Sequence, residues 1–363
     1  MQRRDFIAGA AGAAATFSAS AFAGDNLPTV NWRMPSSYPK SLDVLYGGAE
    51  LIAKRVAELT QGKFMIRSFP AGEIVPALQV LDAVQNGTVE MGHTALYFYF
   101  GKDPAFSFET GIPFGMNTRQ QTAWYTAGGG RELMAEFLKS YGMVSFTCGN
   151  TGTQMGGWFR KEIKGLEDLN GLKMRVGGMA GRILQKLNVV PQQIAPGDIY
   201  PALEKGTIDA AEFVGPHDDE RLGFERVAPF YYTPGWWETS SQLTVIVGRQ
   251  QWESLPKQYQ AALSAACYEA HVMVQAKYDV QNPLALARLM KRGVKLRAFP
   301  KPVMDAFLKA AGELMAEESA KNPNFRKLFE HYRRFQNQQN QWASVAEARM
   351  LNFQIGAAQS GKM

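Results

Sequence analysis

The 363-residue sequence contains little cysteine, little histidine and, after residue 23, no long apolar run. Its two cysteines, Cys148 and Cys267, are too few for a disulfide-stapled scaffold. They could pair outside the cytoplasm, but two buried free thiols are the simpler expectation. The four histidines have no metal-ligand spacing, which argues against a zinc site (His93, His217, His271 and His331). Because a spanning helix needs about 20 apolar residues, no membrane span is expected after residue 23.

Motifs of common enzymes and of nucleic-acid-binding proteins are also missing. The sequence has no G-x-S-x-G elbow and no Walker loop, and the glycines of VGGMAGR (176–182) do not fit G-x-G-x-x-G. These glycines therefore predict only a tight turn. The formal charge of +6 and the pI near 9.1 would permit an anionic partner. However, the basic residues are scattered, without a run interleaved with aromatics, and this argues against nucleic acid.

The N-terminal stretch MQRRDFIAGAAGAAATFSASAFAGD predicts export. A charged start with Arg3 and Arg4 precedes an Ala-rich apolar stretch and an A-x-A cleavage site at 21–23, which together are typical of a signal peptide at residues 1–23. The arginine pair is similar to a twin-arginine signal, although Gln2 stands where Ser or Thr is usual. The mature chain is therefore expected to be a soluble protein of the periplasm.

The remaining chain is long enough for two domains and alternates strand-like with helix-like segments. Polar and apolar residues alternate at 31–34, as in a strand, whereas LDVLYGGAELIAKRVAELTQG (42–62) has helical apolar spacing that ends at Gly62. The alternation continues and predicts an α/β protein of two lobes, with parallel sheets covered by helices on both faces. From Lys301 onward the pattern predicts a nearly unbroken helix, which packs across both lobes or reaches a partner subunit.

The strand-like segment GLKMRVGG (171–178) carries the first candidate binding residue. Apolar side chains alternate with Lys173 and Arg175, so Arg175 faces away from the apolar side at the carboxyl end of the strand. Ligands bind at that edge of open α/β sheets, and a planar guanidinium suits a carboxylate. An ordinary surface arginine at a strand end is the alternative.

The segment DAAEFVG (209–215) places Glu212 among short and apolar residues, in what the pattern predicts to be a buried strand. A lone ionised carboxylate is costly to bury and is normally paired or bound to a metal. A second acid, Glu238 in TPGWWETSSQ, would repel Glu212 if the two met without a cation between them. Gln154, in NTGTQMGGWF, would add a neutral oxygen, and such ligands suit Na⁺ or Ca²⁺. For Glu238 alone, an acid at the rim that is hydrogen-bonded to an indole is the alternative.

The exported start and three segments together carry a family resemblance: LNGLKMRVGG (169–178), GTIDAAEFVGPHDDERLGF (206–224) and YYTPGWWE (231–238). They resemble the solute-binding subunits of tripartite ATP-independent periplasmic (TRAP) transporters, over essentially the whole mature chain. Within that family they look most like the branch that binds α-keto acids.

The resemblance implies a two-lobed periplasmic binding protein fold with crossing segments and a long C-terminal helix. It implies lobe I at residues 24–150 plus 240–283, lobe II at 151–239 plus 284–328, and a C-terminal helix at 329–363 that swaps between the subunits of a homodimer. The other implied partners are the integral-membrane subunits of the transporter, to which the protein would deliver its ligand. It is accordingly expected to be a receptor and not an enzyme.

For the site, the resemblance implies that Arg175 forms an ion pair with the carboxylate of a small α-keto acid. A metal ion, usually Na⁺, would bridge protein and ligand, held by Gln154, Glu212, the backbone carbonyl of Phe213, and Glu238. The keto acid would chelate this ion through its carboxylate and keto oxygens. Phe213 stands where that branch has Trp, which makes one wall of the pocket smaller and favours a larger or branched ligand.

Several alternatives remain open at this point. Tyr97 and Tyr99, in TALYFYFGKD (94–103), are candidate pocket walls or hydroxyl donors, with core packing as the alternative for each. A related calcium-binding branch takes lactate, so a hydroxy acid with Ca²⁺, or an aromatic acid, is the second ligand class. A different kind of function is an exported enzyme that uses Glu212 and Glu238 as an acid–base pair, as glycosidases use carboxylate pairs. Arg175 favours a carboxylate ligand over a sugar.

Overall fold

The structure, a computed structural model, describes residues 27–362, and the predicted signal peptide at 1–23 lies outside the described residues. The strands are β1 (Val30–Pro35), β2 (Phe64–Phe69), β3 (Met91–Thr94), β4 (Met143–Asn150), β5 (Gly157–Phe159), β6 (Lys173–Arg175), β7 (Val190–Gln192), β8 (Ala210–Ala211), β9 (Phe230–Thr233), β10 (Gln242–Gly248) and β11 (Lys295–Ala298). The helices are α1 (Leu45–Leu59), α2 (Val80–Gln85), α3 (Ser107–Thr110), α4 (Thr118–Thr126), α5 (Gly130–Lys139), α6 (Gly178–Gln185), α7 (Ile199–Glu204), α8 (Pro216–Leu222), α9 (Arg249–Ser254), α10 (Lys257–Lys291), α11 (Lys301–Lys321), α12 (Pro323–Val345) and α13 (Glu347–Gln359).

Two large sheets define the two lobes of the described chain. Lobe I is built on a three-stranded sheet with the order β3-β10-β4, and its strands β1 and β2 pair in parallel. Lobe II is built on a six-stranded sheet with the order β11-β9-β5-β8-β6-β7. Helices pack against both sheets, so the predicted α/β class with two lobes is observed.

The prediction of parallel sheets is wrong for β5 and β10. β10 runs antiparallel to β3 and β4, and β5 runs antiparallel to β8 and β9. The chain leaves lobe I at the cleft end of β4 and returns at that same end as β10, so Asn150 pairs with Gln242. Likewise, β5 enters lobe II at the end where β8 and β9 finish. A strand that starts where its neighbours end must run against them.

Crossing segments join the two lobes. The segments at 151–156 and 234–241 connect β4 to β5 and β9 to β10, and the Thr151 N–H donates to the Ser241 carbonyl at 3.0 Å. The 35-residue helix α10 packs on α1 and β4 in lobe I and on α8 in lobe II. The two crossing segments therefore lie side by side, and the single long helix α10 spans both lobes.

The C-terminal part is helical, as predicted, but the nearly unbroken helix expected from Lys301 is divided at Asn322 and Ala346 into α11, α12 and α13. The helix α11 packs against α6 of lobe II. The helix α12 returns to lobe I, where the Tyr332 hydroxyl accepts the Met116 N–H at 2.8 Å. Most side chains of α13 are exposed.

The structure agrees with the expected state of the two cysteines. Cys148 on β4 and Cys267 on α10 are buried and free. The Tyr99 hydroxyl accepts the Leu81 N–H at 3.0 Å inside lobe I, in agreement with the core-packing alternative for this residue. Across residues 27–362, none of the helices combines the length and the apolar character that crossing a membrane requires.

Candidate ligand- and metal-binding site

The predicted site residues meet at the edge of lobe II that faces the cleft. Arg175 is the last residue of β6, Glu212 directly follows β8, and Glu238 follows the turn after β9, so all three lie at or just beyond the carboxyl ends of strands in one sheet. Gln154 lies in the crossing segment just before β5. The strand β8 is short and ends before Glu212, yet the Glu212 side chain is buried as predicted.

Arg175 is completely buried and is paired with Glu212. Its Nη1 donates to Oε1 of Glu212 at 2.6 Å and to the Glu212 carbonyl at 2.5 Å, and its Nε donates to the Ile194 carbonyl at 3.2 Å. The Gly177 N–H also donates to Oε1 of Glu212, at 2.8 Å. In contrast, Nη2 of Arg175 has no hydrogen-bond partner within residues 27–362. One terminal nitrogen of the guanidinium therefore holds Glu212. The other lacks a well-aligned partner in the described chain, although the Tyr97 side chain lies within hydrogen-bonding reach of the guanidinium, and it can donate to an added group.

Gln154 and Glu238 form the second half of the cluster. Nε2 of Gln154 donates to Oε2 of Glu238 at 3.0 Å, and both side chains are buried. This leaves Oε1 of Gln154 without a partner in the described part of the chain. The neighbouring indole of Trp237 donates to the Met155 carbonyl at 3.2 Å. Glu238 is therefore a buried acid bonded to an amide, and the alternative of a rim acid bonded to an indole is wrong.

Backbone hydrogen bonds join the segments that carry these side chains. The Met155 N–H donates to the Val214 carbonyl at 3.0 Å, and the Gly235 N–H donates to the Gln154 carbonyl at 3.2 Å. Gly235 permits this approach, because a Cβ there would lie 2.6 Å from the Gln154 carbonyl oxygen. The crossing segments thus hold the amide and the two acids in fixed relative positions, as a preorganised site requires.

Two buried carboxylates lie near one buried guanidinium. Burial raises the pKa of Glu212, while Arg175 and the Gly177 N–H act in the opposite direction. Burial also raises the pKa of Glu238 well above its usual range, and the nearby charge of Glu212 raises it further. When both acids are ionised, the cluster of two carboxylates and one guanidinium carries a net negative charge away from water. A bound cation would neutralise this charge.

These groups fit a hard cation such as Na⁺ or Ca²⁺. The carboxylates of Glu212 and Glu238, Oε1 of Gln154 and the carbonyl of Phe213 would all offer oxygen atoms, the type of ligand that such ions prefer. Among the described residues, no group of three or more His, Cys, Asp or Glu side chains is placed to hold a metal. A cation at this cluster would therefore depend on the amide, a backbone carbonyl and the oxygens of an added ligand, in addition to the two acids.

Phe213 and Tyr97 complete the cluster. The Phe213 ring centroid lies 5.5 Å from Cζ of Arg175, which is a cation–π contact. Tyr97 comes from lobe I, is buried, and interacts electrostatically with Arg175 and Glu238. The structure therefore brings together all of the predicted site residues (Tyr97, Gln154, Arg175, Glu212, Phe213 and Glu238).

Two contributors are not predicted by the sequence patterns. Gly177, interpreted only as part of a tight turn, donates its N–H to Glu212. Tyr38 is buried in lobe I, and its pKa is raised well above its usual value, first by burial and then by the charge of Glu238. Tyr38 lies just after the carboxyl end of β1, where ligand contacts gather in α/β sheets. This position after a strand is the sequence feature from which Tyr38 could have been predicted.

Fold and site together define a two-lobed binding protein with a buried arginine in its cleft. Residues 36–322 match the family of bacterial extracellular solute-binding proteins, family 7. The chain belongs to this family. It is also similar to a monocarboxylate 2-oxoacid-binding periplasmic protein of Nostoc sp. (strain PCC 7120), with 45% identity over 97% of this chain and 99% of that protein.

Two solved structures are similar over nearly the whole chain. A TRAP transporter solute-binding protein of Bordetella bronchiseptica RB50 has 54% identity and a TM-score of 0.91, covering 92% of this chain and 99% of that one. It is a mixed-occupancy dimer, with copurified calcium and picolinate in a bound active site and with an apo site. A TRAP periplasmic solute-binding protein of Pseudoalteromonas atlantica T6c, with bound sodium and pyruvate, has 40% identity and a TM-score of 0.87, covering 89% and 99%.

These similarities confirm the predicted membership of the TRAP solute-binding proteins and the predicted location outside the cytoplasm, in the periplasm. They also agree with the two-lobed fold and the long C-terminal helix. The assignment of individual residues to ligand and metal stays a prediction.

Proposed function

We propose that this protein captures a small 2-oxo acid together with a bridging cation, Na⁺ or Ca²⁺, and delivers the acid to the membrane subunits of a TRAP transporter. One observation carries the proposal: within residues 27–362, Nη2 of Arg175 and Oε1 of Gln154 are buried without partners in one cluster. An unsatisfied buried donor and acceptor are costly and require an added group. An acid would supply the partner for Arg175, and a cation would supply the partner for Gln154.

In this proposal each residue of the cluster has a separate role. Arg175 binds the ligand carboxylate through Nη2, while Nη1 is fixed by Glu212 so that the fork keeps its orientation. Glu212, Gln154, Glu238 and the Phe213 carbonyl hold the cation. When bound, the cation bridges to the ligand oxygens and neutralises the two acids. Tyr97 closes the site from lobe I.

Pyruvate and picolinate, which are bound in the two structural relatives, share one chelating pattern. Each places a second donor, a keto oxygen or a ring nitrogen, next to a carboxylate, so both can close a chelate ring on a cation. Phe213 is smaller than the tryptophan that the family resemblance implies, so we expect the site to accept ligands larger than pyruvate. Aromatic acids of the picolinate type are therefore the second candidate ligand class.

The site favours a receptor over an enzyme. Glu212, one acid of the alternative acid–base pair with Glu238, is held by the guanidinium of Arg175 and by the Gly177 N–H. To transfer a proton to a substrate it would have to leave a buried ion pair, and breaking such a pair costs several kcal/mol. We propose accordingly that the ligand is bound and released unchanged.

Closure of the two lobes belongs to the same proposal. We assign residues 24–150 plus 240–283 to lobe I and residues 151–239 plus 284–328 to lobe II, after removal of the signal peptide at 1–23. The placement of β10 in the sheet of lobe I and of β11 in the sheet of lobe II supports these returns of the chain. The ligand would lie between the lobes, beside the crossing segments.

A thermal-shift screen of metal-stripped protein tests the proposed ligand. We expect pyruvate, a longer or branched 2-oxo acid or picolinate to raise the Tm only when Na⁺ or Ca²⁺ is present, because acid and cation complete each other's coordination. At a ligand concentration of 100 times Kd the stabilisation should be about 2.7 kcal/mol. If only lactate together with Ca²⁺ raised the Tm, the ligand would instead be a hydroxy acid. No response to any acid with either ion would contradict the proposal.

We further propose a homodimer joined through the C-terminal segment at residues 329–363: the end of α12 and the helix α13 would pack on the partner subunit, while Tyr332 keeps its place in lobe I of its own chain. The end of α12 and the helix α13 expose apolar side chains with between 46% and 72% of their surface accessible (Trp342, Val345, Met350, Leu351, Phe353 and Ile355). Large apolar side chains exposed this close together in the chain are typical of an interaction site. The dimeric state of the Bordetella bronchiseptica structure supports this proposal.

Phe353→Asp is expected to convert the dimer to a monomer, because a charge placed in an apolar interface is costly to bury. Size-exclusion chromatography with light scattering measures the mass. Leu308→Asp is the matched control, since Leu308 on α11 is 54% exposed and should tolerate the charge without a change of mass. A dimeric Phe353→Asp variant, or a monomeric wild type at micromolar concentration, would refute the proposed interface.

A further inference from the structure

Two residues without side chains stand where the chain passes from β6 into α6: Gly177, just before the helix, and Gly178, its first residue. Tyr97 lies directly on them. A Cβ added to Gly177 would lie 2.2 Å from Cε2 and 3.1 Å from the hydroxyl oxygen of Tyr97. A Cβ added to Gly178 would lie 2.7 Å from Cδ2 of the same ring. We call this pair of glycines the glycine seat. Its surface is bare backbone, and the tyrosine ring fills the space that a side chain would occupy.

The contact between the glycine seat and Tyr97 crosses the cleft. Tyr97 belongs to the 3-10 segment Leu96–Tyr99 of lobe I, where its N–H donates to Oγ1 of Thr110 at 3.1 Å and its ring lies 4.6 Å from that of Phe98. The seat belongs to lobe II. A second bond crosses at the same place, because Nε2 of Gln193 donates to the Phe98 carbonyl at 2.8 Å. These contacts can form only when the two lobes meet.

Backbone conformation does not explain the glycine at position 177. Gly177 has φ −88° and ψ 155°, an extended conformation that any residue adopts. Gly178 differs, because its φ of +57° lies in the left-handed region that favours glycine. The N–H of Gly177 donates to Glu212, and every residue other than proline would keep this donor. What remains specific to glycine at position 177 is the space that Tyr97 occupies.

We propose that Gly177 is a positioning residue for ligand capture: the lobes close fully only because Tyr97 can enter the glycine seat. This inference rests on the proposed function. A side chain at position 177 would meet a ring carbon of a buried aromatic residue, not the flexible end of a long side chain, so the ring cannot move aside easily. The conflict is relieved when the lobes separate, so it acts on closure and not on the folding of either lobe.

Gly177→Ala is expected to weaken binding of pyruvate in the presence of Na⁺ by about 10-fold, which corresponds to about 1.4 kcal/mol, because overpacking a filled site is unfavourable. The faster dissociation of ligand should account for most of this change. In small-angle X-ray scattering, the variant at saturating ligand should have a larger radius of gyration than wild type. The Tm without ligand should be unchanged.

Gly181→Ala, on the helix α6 that directly follows Gly177, is the matched control. A Cβ at Gly181 would lie 3.4 Å from Cβ of Pro191 and 3.6 Å from Cγ1 of Val176, both within lobe II and both close to ordinary contact. We expect its affinity for pyruvate to stay within about twofold of wild type. Its radius of gyration at saturating ligand should equal that of wild type within error. The control separates the effect of Tyr97 from that of any alanine placed in α6.

A double-mutant cycle with Tyr97→Ala tests whether the tyrosine is the cause. Without the ring, Gly177→Ala should cost less than about twofold in affinity, because the atoms in conflict are gone. A cost that stays near 10-fold in the Tyr97→Ala background would overturn the inference and assign the effect to the bond between the Gly177 N–H and Glu212. Wild-type affinity and scattering for the single variant Gly177→Ala would overturn it as well.

The inference and the proposed function fail in different ways. If wild type and Gly181→Ala bind the acid and Gly177→Ala binds it equally well, the inference alone is refuted. If wild type binds none of the acids with either cation, the proposed function is refuted, and the inference is refuted with it.

Discussion

Arg175→Lys is expected to abolish binding of the 2-oxo acid while the protein stays folded. Lysine keeps one positive charge beside Glu212, so the buried ion pair is retained. However, lysine has a single ammonium group in place of the planar guanidinium. It cannot donate to Glu212, as Nη1 does, and at the same time bind the ligand in the position of Nη2. Truncating one member of a buried charge pair costs about 2–5 kcal/mol. The affinity should therefore fall by about 100-fold or more.

Isothermal titration calorimetry with pyruvate and Na⁺ measures this loss, and chemical denaturation measures the free energy of unfolding. Arg182→Lys is the matched control, because Arg182 lies on α6 in the same lobe, is 48% exposed and approaches Glu318 only to 4.0 Å. The control should bind like wild type. An Arg175→Lys variant with an affinity within about threefold of wild type would show that Nη2 does not bind the ligand.

Arg175→Ala separates the structural role of this arginine from its role in binding. A position at a cleft edge, which is all that the sequence indicates, predicts loss of binding without unfolding. In the structure, Arg175 is fully buried and is the partner of Glu212. Removing one partner of a buried ion pair costs about 3–5 kcal/mol. The alanine variant should therefore lose both stability and ligand binding. The lysine variant should lose ligand binding and keep its stability.

The chemistry of the site could be predicted from the sequence because each unusual polar residue stands at the end of a recognisable strand. Arg175 and Glu212 were each predicted in this way, one for a carboxylate and one for a metal. Their bond to each other was not, although it is the shortest polar contact between side chains of the cluster. The two residues are 37 positions apart and meet because β6 and β8 are neighbours in the sheet. Local spacing carries no information about strand order.

The same limit applies to strand direction and to the glycine seat. Alternation of strands and helices predicts parallel pairing, but β5 and β10 take their direction from crossings between lobes. The pattern shows that Gly177 follows a strand that ends at Arg175, and it predicts a tight turn there. Only the position of Tyr97 in the other lobe explains why residue 177 is a glycine, because the tyrosine ring occupies the space of a side chain there. Both misses concern contacts between segments that are distant in the chain.

Glu238→Gln is expected to stabilise the cation-free protein and to remove its response to cations. Glu238 is buried, lies near the charge of Glu212, and is bonded to the neutral amide of Gln154. Replacing a buried carboxylate of this kind by a neutral amide should remove the cost of holding a second negative charge away from water beside Glu212, so the free energy of unfolding of the cation-free protein should rise. The same replacement takes away a charged oxygen ligand, so the affinity for Na⁺ or Ca²⁺ should fall by about 100-fold or more. Thermal denaturation of metal-stripped protein, with and without each ion, measures both changes.

The two changes have opposite signs, and their combination is what identifies a metal ligand. Glu109→Gln is the matched control: Glu109 is a buried acid of lobe I, burial raises its pKa to about 7, and it accepts a hydrogen bond from Ser145 at 2.9 Å. We expect this control to change the stability of the metal-stripped protein and to keep the cation response. If Glu238→Gln also keeps that response, the cation is held elsewhere. If the response is lost but pyruvate still binds, the acid is held by Arg175 alone, and the cation does not bridge protein and ligand.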